Sequence, residues 1–169
     1  LVVSTIMSNL GFKKALQEMG MRTVATQVGD RYVMECMLAE QAVMGGEDSG
    51  HIIFKDVHTT GDGLMAALRM LEAMRTVAQP LSRLSKIMTA FPQELLNVEV
   101  HSKPALNSIP ELMAAIDRVE KLLGDQGRVL VRYSGTQNQC RVMVEGPDKE
   151  TTHELCRQIA SVVQRAIGR

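Results

Sequence analysis

The chain has 169 residues, of which 45% are hydrophobic and 22% are charged, and its 19 Lys and Arg balance its 19 Asp and Glu. This length suits one ordinary domain or two small ones of a globular protein. The chain lacks the positive excess that binding to nucleic acid would need. No apolar run reaches the ~20 residues of a membrane span. Three cysteines without a CxxC pair, Cys36, Cys140 and Cys156, predict reduced thiols and a cytoplasmic location.

The chain begins with an apolar, strand-like run over residues 1–6 and has no initiator Met. We therefore expect this sequence to be the C-terminal part of a longer protein. Residues up to about 90 alternate strands with helices, a pattern typical of an α/β three-layer domain with a mixed sheet, truncated at its start. The strands are predicted at 2–7, 21–26, 42–44 and 51–54, and the helices at 11–19, from Asp30 onward and at 63–78.

Two helices of this first part carry recognisable signals. Asp30 is a candidate N-cap, and an apolar face follows it at helical spacing. The helix over 63–78 has a second apolar stripe, and Pro80 is expected to end it. The two stripes consist of Val33, Met34, Met37 and Leu38, and of Leu64, Leu68, Leu71 and Met74.

After a predicted hinge at residues 91–94 the order of elements changes. Strands are predicted at 95–101, 127–132 and 140–145, and helices at 110–123 and 149–166. This order predicts a small α+β domain with two helices on an antiparallel sheet, so we divide the chain into residues 1–92 and 93–169. The helical stripes are Leu112, Ile116, Val119 and Leu123, then Leu155, Ile159, Val162 and Ala166.

The strongest local signal is the sequence Arg-Tyr-Ser-Gly-Thr at residues 132–136, between two predicted strands. Arg132 offers a planar fork of N–H donors that matches phosphate oxygens, and Ser134 and Thr136 add hydroxyl groups. Gly135 allows the backbone N–H groups to converge on an anion as a nest. Arg141, on the next strand, is a candidate second positive group. An ordinary polar hairpin loop is an equal alternative.

A second candidate is the loop Gly-Glu-Asp-Ser-Gly-His at residues 46–51. Glu47 could accept hydrogen bonds from two adjacent sugar hydroxyls, and Ser49 could donate or accept. His51 lies beside them and carries less weight alone. An exposed polar turn is the favoured interpretation of this loop in isolation.

Other motifs do not indicate chemistry. The Gly-Asp-Gly at residues 61–63 is best explained by N-capping of a helix by Thr60 or Asp62. The four His and three Cys have no spacing typical of a zinc site, so no metal ligands are predicted in the chain. No nucleotide-binding loop or nucleophile motif occurs, and no catalytic residue is predicted here.

Taken together, four stretches resemble the bacterial phosphoglucosamine mutases, a branch of the α-D-phosphohexomutase superfamily. The resemblance runs over the whole chain, and the order of the stretches is highly specific. The stretches are residues 7–11, 28–33, 45–51 with 59–63, and 128–136 with 141–146.

The resemblance implies that this chain contains the third and fourth of four domains. The missing N-terminal domains would supply a catalytic phosphoserine and the Mg²⁺ site. The full enzyme would interconvert glucosamine 6-phosphate and glucosamine 1-phosphate through a 1,6-bisphosphate, for UDP-N-acetylglucosamine and cell-wall precursor synthesis. A homodimer stays an open question.

The resemblance also implies roles for individual residues. Arg132, Ser134, Gly135 and Thr136 match the clamp for the non-reacting phosphate. Glu47 and Ser49, with His51 beside them, match the loop that recognises the sugar. Asp30 and Arg31 match a turn that faces the cleft.

Some residues depart from the family pattern. Tyr133 stands where Pro is usual, so the loop is expected to be looser or to be held by packing of the ring. Residues 137–140 and Asp48 also differ, which bears on sugar specificity. A phosphomannomutase or phosphoglucomutase of the same superfamily, or a non-catalytic phosphosugar-binding module, is the alternative.

Overall fold

A computed structural model describes all residues, 1–169, and divides them into two compact units, Leu1–Ala90 and Phe91–Arg169. The first unit contains four strands and four helices in chain order. They are β1 (Val2–Thr5), α1 (Leu10–Glu18), β2 (Thr23–Thr26), α2 (Asp30–Ala39), β3 (Met44–Gly46), β4 (Ile52–Phe54), α3 (Gly63–Val77) and α4 (Leu81–Leu84).

The sheet of the first unit has the order β2-β1-β3-β4. β1 is central and pairs in parallel with β2 and with β3, whereas β4 returns antiparallel to β3. The parallel pairs need crossover connections, which α1 and α2 supply, and the short loop between β3 and β4 makes a hairpin. This hairpin loop contains Glu47, Ser49 and His51.

The core of the first unit lies between α2 and the sheet. Its fully buried residues are Val3, Val33, Met37, Ala42 and Ile53. Gly45 lets α2 approach β3 closely, because a Cβ at this position would lie 2.6 Å from Sδ of Met37. Strand β3, which leads into the Glu47 loop, therefore packs with its backbone directly against side chains of α2.

Three details of the first unit differ from the sequence predictions. The N-cap of α2 is Gly29, and Asp30 is the first helical residue. The stripe predicted for α3 is not buried: α3 has no buried residue, and Leu64 is 81% exposed. Helical periodicity identifies an apolar face but not whether another element covers it. α3 ends at Val77, before Pro80, which precedes the unpredicted short helix α4.

The second unit contains three strands and two helices. They are β5 (Gln93–Glu99), α5 (Pro110–Leu123), β6 (Arg128–Tyr133), β7 (Gln139–Glu145) and α6 (Lys149–Ile167). The sheet order is β5-β7-β6, with both pairings antiparallel. Pro at the first position of α5 and Gly124 just beyond its end explain why its predicted bounds are correct.

The core of the second unit packs α5 and α6 against this sheet. Fully buried members include Leu112, Val142, Ile159 and Val163. Of the residues predicted to face this core, Val162 is only partly buried, and its neighbour Val163 takes the interior position. A large apolar cluster thus supports the strands that carry the Arg-Tyr-Ser-Gly-Thr loop.

One ion pair lies inside this unit. The guanidinium of Arg128 donates to both carboxylate oxygens of Glu145, at 2.7 and 3.1 Å. The Glu145 side chain is fully buried and that of Arg128 is 18% exposed. A bidentate, buried pair of this kind fixes the register of β6 against β7, where the two residues are direct partners.

The predicted fold class is confirmed: a mixed four-stranded sheet with helices is followed by a small antiparallel sheet with two helices. No helix combines the length and the apolar character that a membrane crossing requires.

Candidate functional site

Hairpin geometry shapes the loop between β3 and β4. The N–H of Glu47 donates to the carbonyl of His51, and the N–H of Gly50 donates to the carbonyl of Glu47, both at 3.0 Å. Gly50 has a φ of +91°, a conformation that glycine adopts without strain. The loop is a closed turn held by these two backbone hydrogen bonds.

The carboxylate of Glu47 is held by a second segment of the chain. Its Oε2 accepts a hydrogen bond from the backbone N–H of Gly29 at 2.8 Å, and its side chain is only 8% exposed. Gly29 has a φ of +135° and caps α2 without a side chain. The Glu47 carboxylate is thus anchored at the N-terminus of a helix, where negative charge is favourable.

Ser49 and His51 lie beside this carboxylate. The Oγ of Ser49 is 2.8 Å from Nδ1 of His51, and Oε1 of Glu47 is 4.0 Å from the same nitrogen. A catalytic triad would use the two ring nitrogens for different partners. Because both contacts involve Nδ1, the arrangement suits polar recognition and does not match a Ser-His-acid nucleophile.

The two residues predicted near the cleft have local partners. Oδ1 of Asp30 accepts from the N–H of Arg31, and the Arg31 guanidinium donates to Glu35 one helical turn later. This ion pair raises the pKa of Arg31. Both residues stay candidates for ligand contact, but the Arg31 side chain is occupied in the structure by Glu35.

A cavity of about 240 Å³ lies next to the Glu47 loop. Glu47 and Asp48 line this cavity together with Ser4, Ser8 and Asn9, and most of the remaining lining is apolar. The polar loop and the polar part of the cavity lining therefore form one candidate sugar site.

In the second unit, Arg132 on β6 and Arg141 on β7 are direct cross-strand partners. Neither forms an ion pair with a carboxylate, and Nε of Arg141 is buried without an acceptor. Burial, followed by the charge of Arg141, lowers the pKa of Arg132. Two like charges in direct opposition destabilise a sheet unless an anion lies between them.

The loop that follows Arg132 is partly organised by its own side chains. Ser134 is buried, and its Oγ accepts from the N–H of Gln137 at 3.2 Å, which leaves the hydroxyl proton free to donate. Gly135 and Thr136 are exposed.

Gly135 is not in the left-handed conformation that only glycine adopts readily. Its φ is not positive, and a Cβ there would meet nothing within 4 Å. The glycine instead leaves open space over the loop, where a ligand can approach the backbone.

Two side chains hold this loop from outside, Lys103, which the sequence did not single out, and Tyr133, whose ring packing was one of two expectations. Nζ of Lys103 donates to the carbonyls of Ser134 and Gln137, each at 2.8 Å. The hydroxyl of Tyr133 donates to the carbonyl of Pro104 at 2.8 Å. Only the Lys103-Pro104 pair after β5 marks these contacts in the sequence, and a Lys-Pro pair alone does not identify a motif.

Tyr133 therefore does not leave the loop loose. Its ring packs partly buried against the core, and its hydroxyl adds the bond to Pro104. Burial, with a smaller contribution from Cys140, raises the pKa of the Tyr133 hydroxyl, so this group stays a hydrogen-bond donor. A side chain that cannot fix φ as Pro does thus anchors the loop by contact.

The chain has no group of three or more His, Cys, Asp or Glu that could hold a metal ion. The residues present thus do not fit a magnesium site, and we derive no step through a metal from them.

Two family models match the chain. Residues 1–91 match the α/β/α domain III of phosphoglucomutases and phosphomannomutases, and residues 95–162 match the C-terminal domain of the same enzymes.

The chain is similar over nearly its whole length to curated bacterial relatives. It is 56% identical to a phosphoglucosamine mutase of Syntrophobacter fumaroxidans and 54% identical to one of Syntrophus aciditrophicus, covering 99% of this chain in each case. The chain spans 37% of the length of these relatives.

Solved structures share the fold at lower identity. The N-acetylphosphoglucosamine mutase of Aspergillus fumigatus superposes with a TM-score of 0.83 at 20% identity, over 98% of this chain and 38% of that one. The same enzyme in complex with GlcNAc-6P and magnesium gives a TM-score of 0.78 over 96% of this chain and 41% of that one. With domain III and the C-terminal domain both matched, the chain belongs to the phosphoglucomutase/phosphomannomutase family.

Proposed function

We propose that this chain is the substrate-holding C-terminal part of a phosphoglucosamine mutase. The full enzyme interconverts glucosamine 6-phosphate and glucosamine 1-phosphate through a 1,6-bisphosphate and a phosphoserine. The similarity to phosphoglucosamine mutases at 47–56% identity supports this choice of sugar. The product serves UDP-N-acetylglucosamine and cell-wall precursor synthesis in the cytoplasm, a location that three free cysteines support.

The opposition of Arg132 and Arg141 across β6 and β7 carries the proposal. Both guanidinium groups lack a carboxylate partner, and the exposed Gly135 and Thr136 follow directly after the buried Ser134, in the loop that Arg132 begins. A phosphate dianion between the two arginines would neutralise their repulsion and accept from the loop. We assign holding of the non-reacting phosphate to residues 93–169.

Recognition of the sugar belongs to residues 1–92 in this proposal. A carboxylate oxygen has two lone-pair directions, so Glu47 can accept from sugar hydroxyls while Oε2 keeps its bond to Gly29. Ser49 and His51 supply further polar groups on the same loop. Asp30 and Arg31 follow Gly29 directly and are secondary candidates.

The chemical step itself lies outside these residues. In this proposal the N-terminal domains of the same polypeptide would supply the phosphoserine and would hold Mg²⁺, which would supply neutralisation of charge on the transferred phosphoryl group. The described residues contribute binding of the substrate, at its non-reacting phosphate and at its sugar ring.

The test is turnover of hexosamine and hexose phosphates by the full-length protein. We expect preference for glucosamine phosphates, with Arg132→Met and Arg141→Met each raising KM about 10-fold or more. Arg157→Met, an exposed arginine on α6, is the matched control and should leave KM unchanged.

Two outcomes would contradict the proposal. Preference for glucose or mannose phosphates would identify a phosphoglucomutase or phosphomannomutase. Phosphosugar binding without turnover by the full-length protein would identify a non-catalytic binding module. Gel filtration of the same preparation determines whether the protein is a homodimer.

A further inference from the structure

We propose that Lys103 is a positioning residue that turns the peptide groups of the phosphate loop toward the ligand. This inference rests on the proposed phosphate-holding role of Arg132 and Arg141 and extends it to Lys103, which is 31 positions from Ser134 in the chain. Its starting point is that Nζ of Lys103 donates to the carbonyl of Ser134 and to the carbonyl of Gln137, at 2.8 Å each.

Peptide geometry gives these two contacts a consequence. In a planar trans peptide, the C=O of one residue and the N–H of the next point in opposite directions. Because the carbonyls of Ser134 and Gln137 point at Lys103, the N–H groups of Gly135 and Asn138 point away from it. The Lys103 ammonium group thus holds the carbonyl groups of Ser134 and Gln137 on one side of the loop, the carbonyl side. The N–H groups of Gly135 and Asn138 lie on the opposite side, the amide side.

The amide side carries free donors. The N–H groups of Gly135 and Asn138 donate to no protein acceptor, whereas the N–H of Gln137 is taken by Oγ of Ser134. Nothing lies within 4 Å of a Cβ placed on Gly135, so an anion can reach these donors. Free backbone N–H groups next to arginines form an anion-binding surface.

Lys103 also lowers the free-energy cost of turning these two carbonyl groups away from the phosphate. Carbonyl groups that turned toward the phosphate would repel its oxygens, and carbonyls without a partner would lose hydrogen bonds. A charge-assisted bond to each carbonyl removes both problems before the ligand arrives. The bond from the Tyr133 hydroxyl to the carbonyl of Pro104 fixes the residue next to Lys103 and so restrains its backbone.

The kinetic consequence is specific. Hydrogen bonds to the non-reacting phosphate stabilise the bound substrate and the transition state equally. Their loss therefore raises KM and leaves kcat unchanged. In the full-length enzyme we expect Lys103→Met to raise KM for the phosphosugar about 5- to 20-fold with kcat within twofold. Lys103→Arg, which keeps charged donors, should restore KM to within about threefold of the original enzyme.

Controls separate this role from a structural one. Lys121→Met removes an exposed lysine from the last turn of α5 and should change neither constant. Circular dichroism should give Lys103→Met a melting temperature close to that of Lys121→Met. If Lys103→Met does not fold, Lys103→Gln, which keeps an N–H donor but cannot bridge two carbonyls, takes its place and should show the same rise in KM.

The outcomes also distinguish this inference from the proposed function. If Arg132→Met and Arg141→Met raise KM while Lys103→Met leaves it unchanged, the inference on Lys103 is wrong and the phosphate site stands. If none of the three raises KM, the proposed phosphate site itself is wrong. A fall in kcat at constant KM for Lys103→Met also overturns the inference, because it would place Lys103 in the chemical step.

Discussion

The backbone N–H of Gly29 donates to Oε2 of Glu47 at 2.8 Å, which joins the start of helix α2 to the loop between β3 and β4. The two residues are 18 positions apart, and the acceptor side chain is almost completely buried. A change at Gly29 should therefore alter the candidate sugar loop through this hydrogen bond.

We expect Gly29→Ala to destabilise the chain by about 1–3 kcal/mol, because the φ of +135° is strained for any residue with a Cβ. The added Cβ would also lie 3.2 Å from the ring of Tyr32. Urea denaturation followed by circular dichroism measures the loss. Gly63→Ala, at an open helical position, is the control and should not destabilise. Equal stability of the two variants would show that the backbone at Gly29 is not constrained.

Glu47→Gln should raise the KM of the full-length enzyme for the phosphosugar about 10-fold or more, because hydrogen bonds to a charged group are worth about 1.5–3 kcal/mol. The amide oxygen of Gln can still accept from Gly29, so folding should be preserved. Steady-state kinetics measures the effect. Glu40→Gln, an exposed carboxylate near Arg22, is the control. An unchanged KM for Glu47→Gln would exclude a charged contact between Glu47 and the sugar.

The arginine pair predicts opposite effects on stability and on binding. In buffer without phosphate or sulfate, Arg141→Met should stabilise the chain by about 0.2–1 kcal/mol, since it removes a cross-strand like charge. Added phosphate should raise the melting temperature of the original chain and not that of the variant. Differential scanning fluorimetry measures both the change in stability and the response to phosphate, with Arg157→Met as control. The same phosphate response in both proteins would refute an anion site at Arg141.

The buried ion pair predicts a large loss of stability. Arg128→Met removes the bidentate ion pair of the fully buried Glu145 and should cost about 3–5 kcal/mol. The double variant with Glu145→Met removes both charges and should recover most of this loss. Chemical denaturation of the three proteins gives the comparison. A single variant as stable as the original would mean that Glu145 is compensated by other groups.

The buried thiols predict a loss of stability in alkaline solution. Burial raises the pKa of Cys140 and of Cys156 to about 11. Between pH 9 and 11 the unfolded chain loses these protons and the folded chain keeps them, so stability falls as pH rises through this window, by about 2–3 kcal/mol per thiol. Urea midpoints between pH 8 and 11 measure the slope, which Cys140→Ser with Cys156→Ser should reduce. A slope that persists in this double variant would assign it to other groups.

Local signals in the sequence predict most of the fold. Pro110 and Gly124 mark both ends of α5, and the alternation of strands and helices separates the two kinds of sheet. The predicted N-cap of α2 was wrong by one residue. Gly29, in an unusual backbone conformation, takes the place of the side-chain cap expected at Asp30. The exposed stripe of α3 could not be foreseen, because periodicity does not report what packs on a face.

The candidate sites were predictable only in part. Residue types alone singled out Glu47 and Arg132, since carboxylates and guanidinium groups suit hydroxyls and phosphate. The partners that position them are distant in sequence: Gly29 acts through its backbone N–H, and Lys103 acts on carbonyl groups. Such contacts depend on tertiary structure and leave no pattern of spacing in a single sequence.

The contacts of Lys103 and Pro104 bear on how this loop could be transplanted. A chimera that exchanges only residues 132–137 between relatives would separate the loop from the carbonyl and ammonium groups that shape it. A designer would need to move the segment after β5 together with the hairpin. The smallest exchangeable unit is therefore two stretches of chain, at residues 101–105 and 132–139.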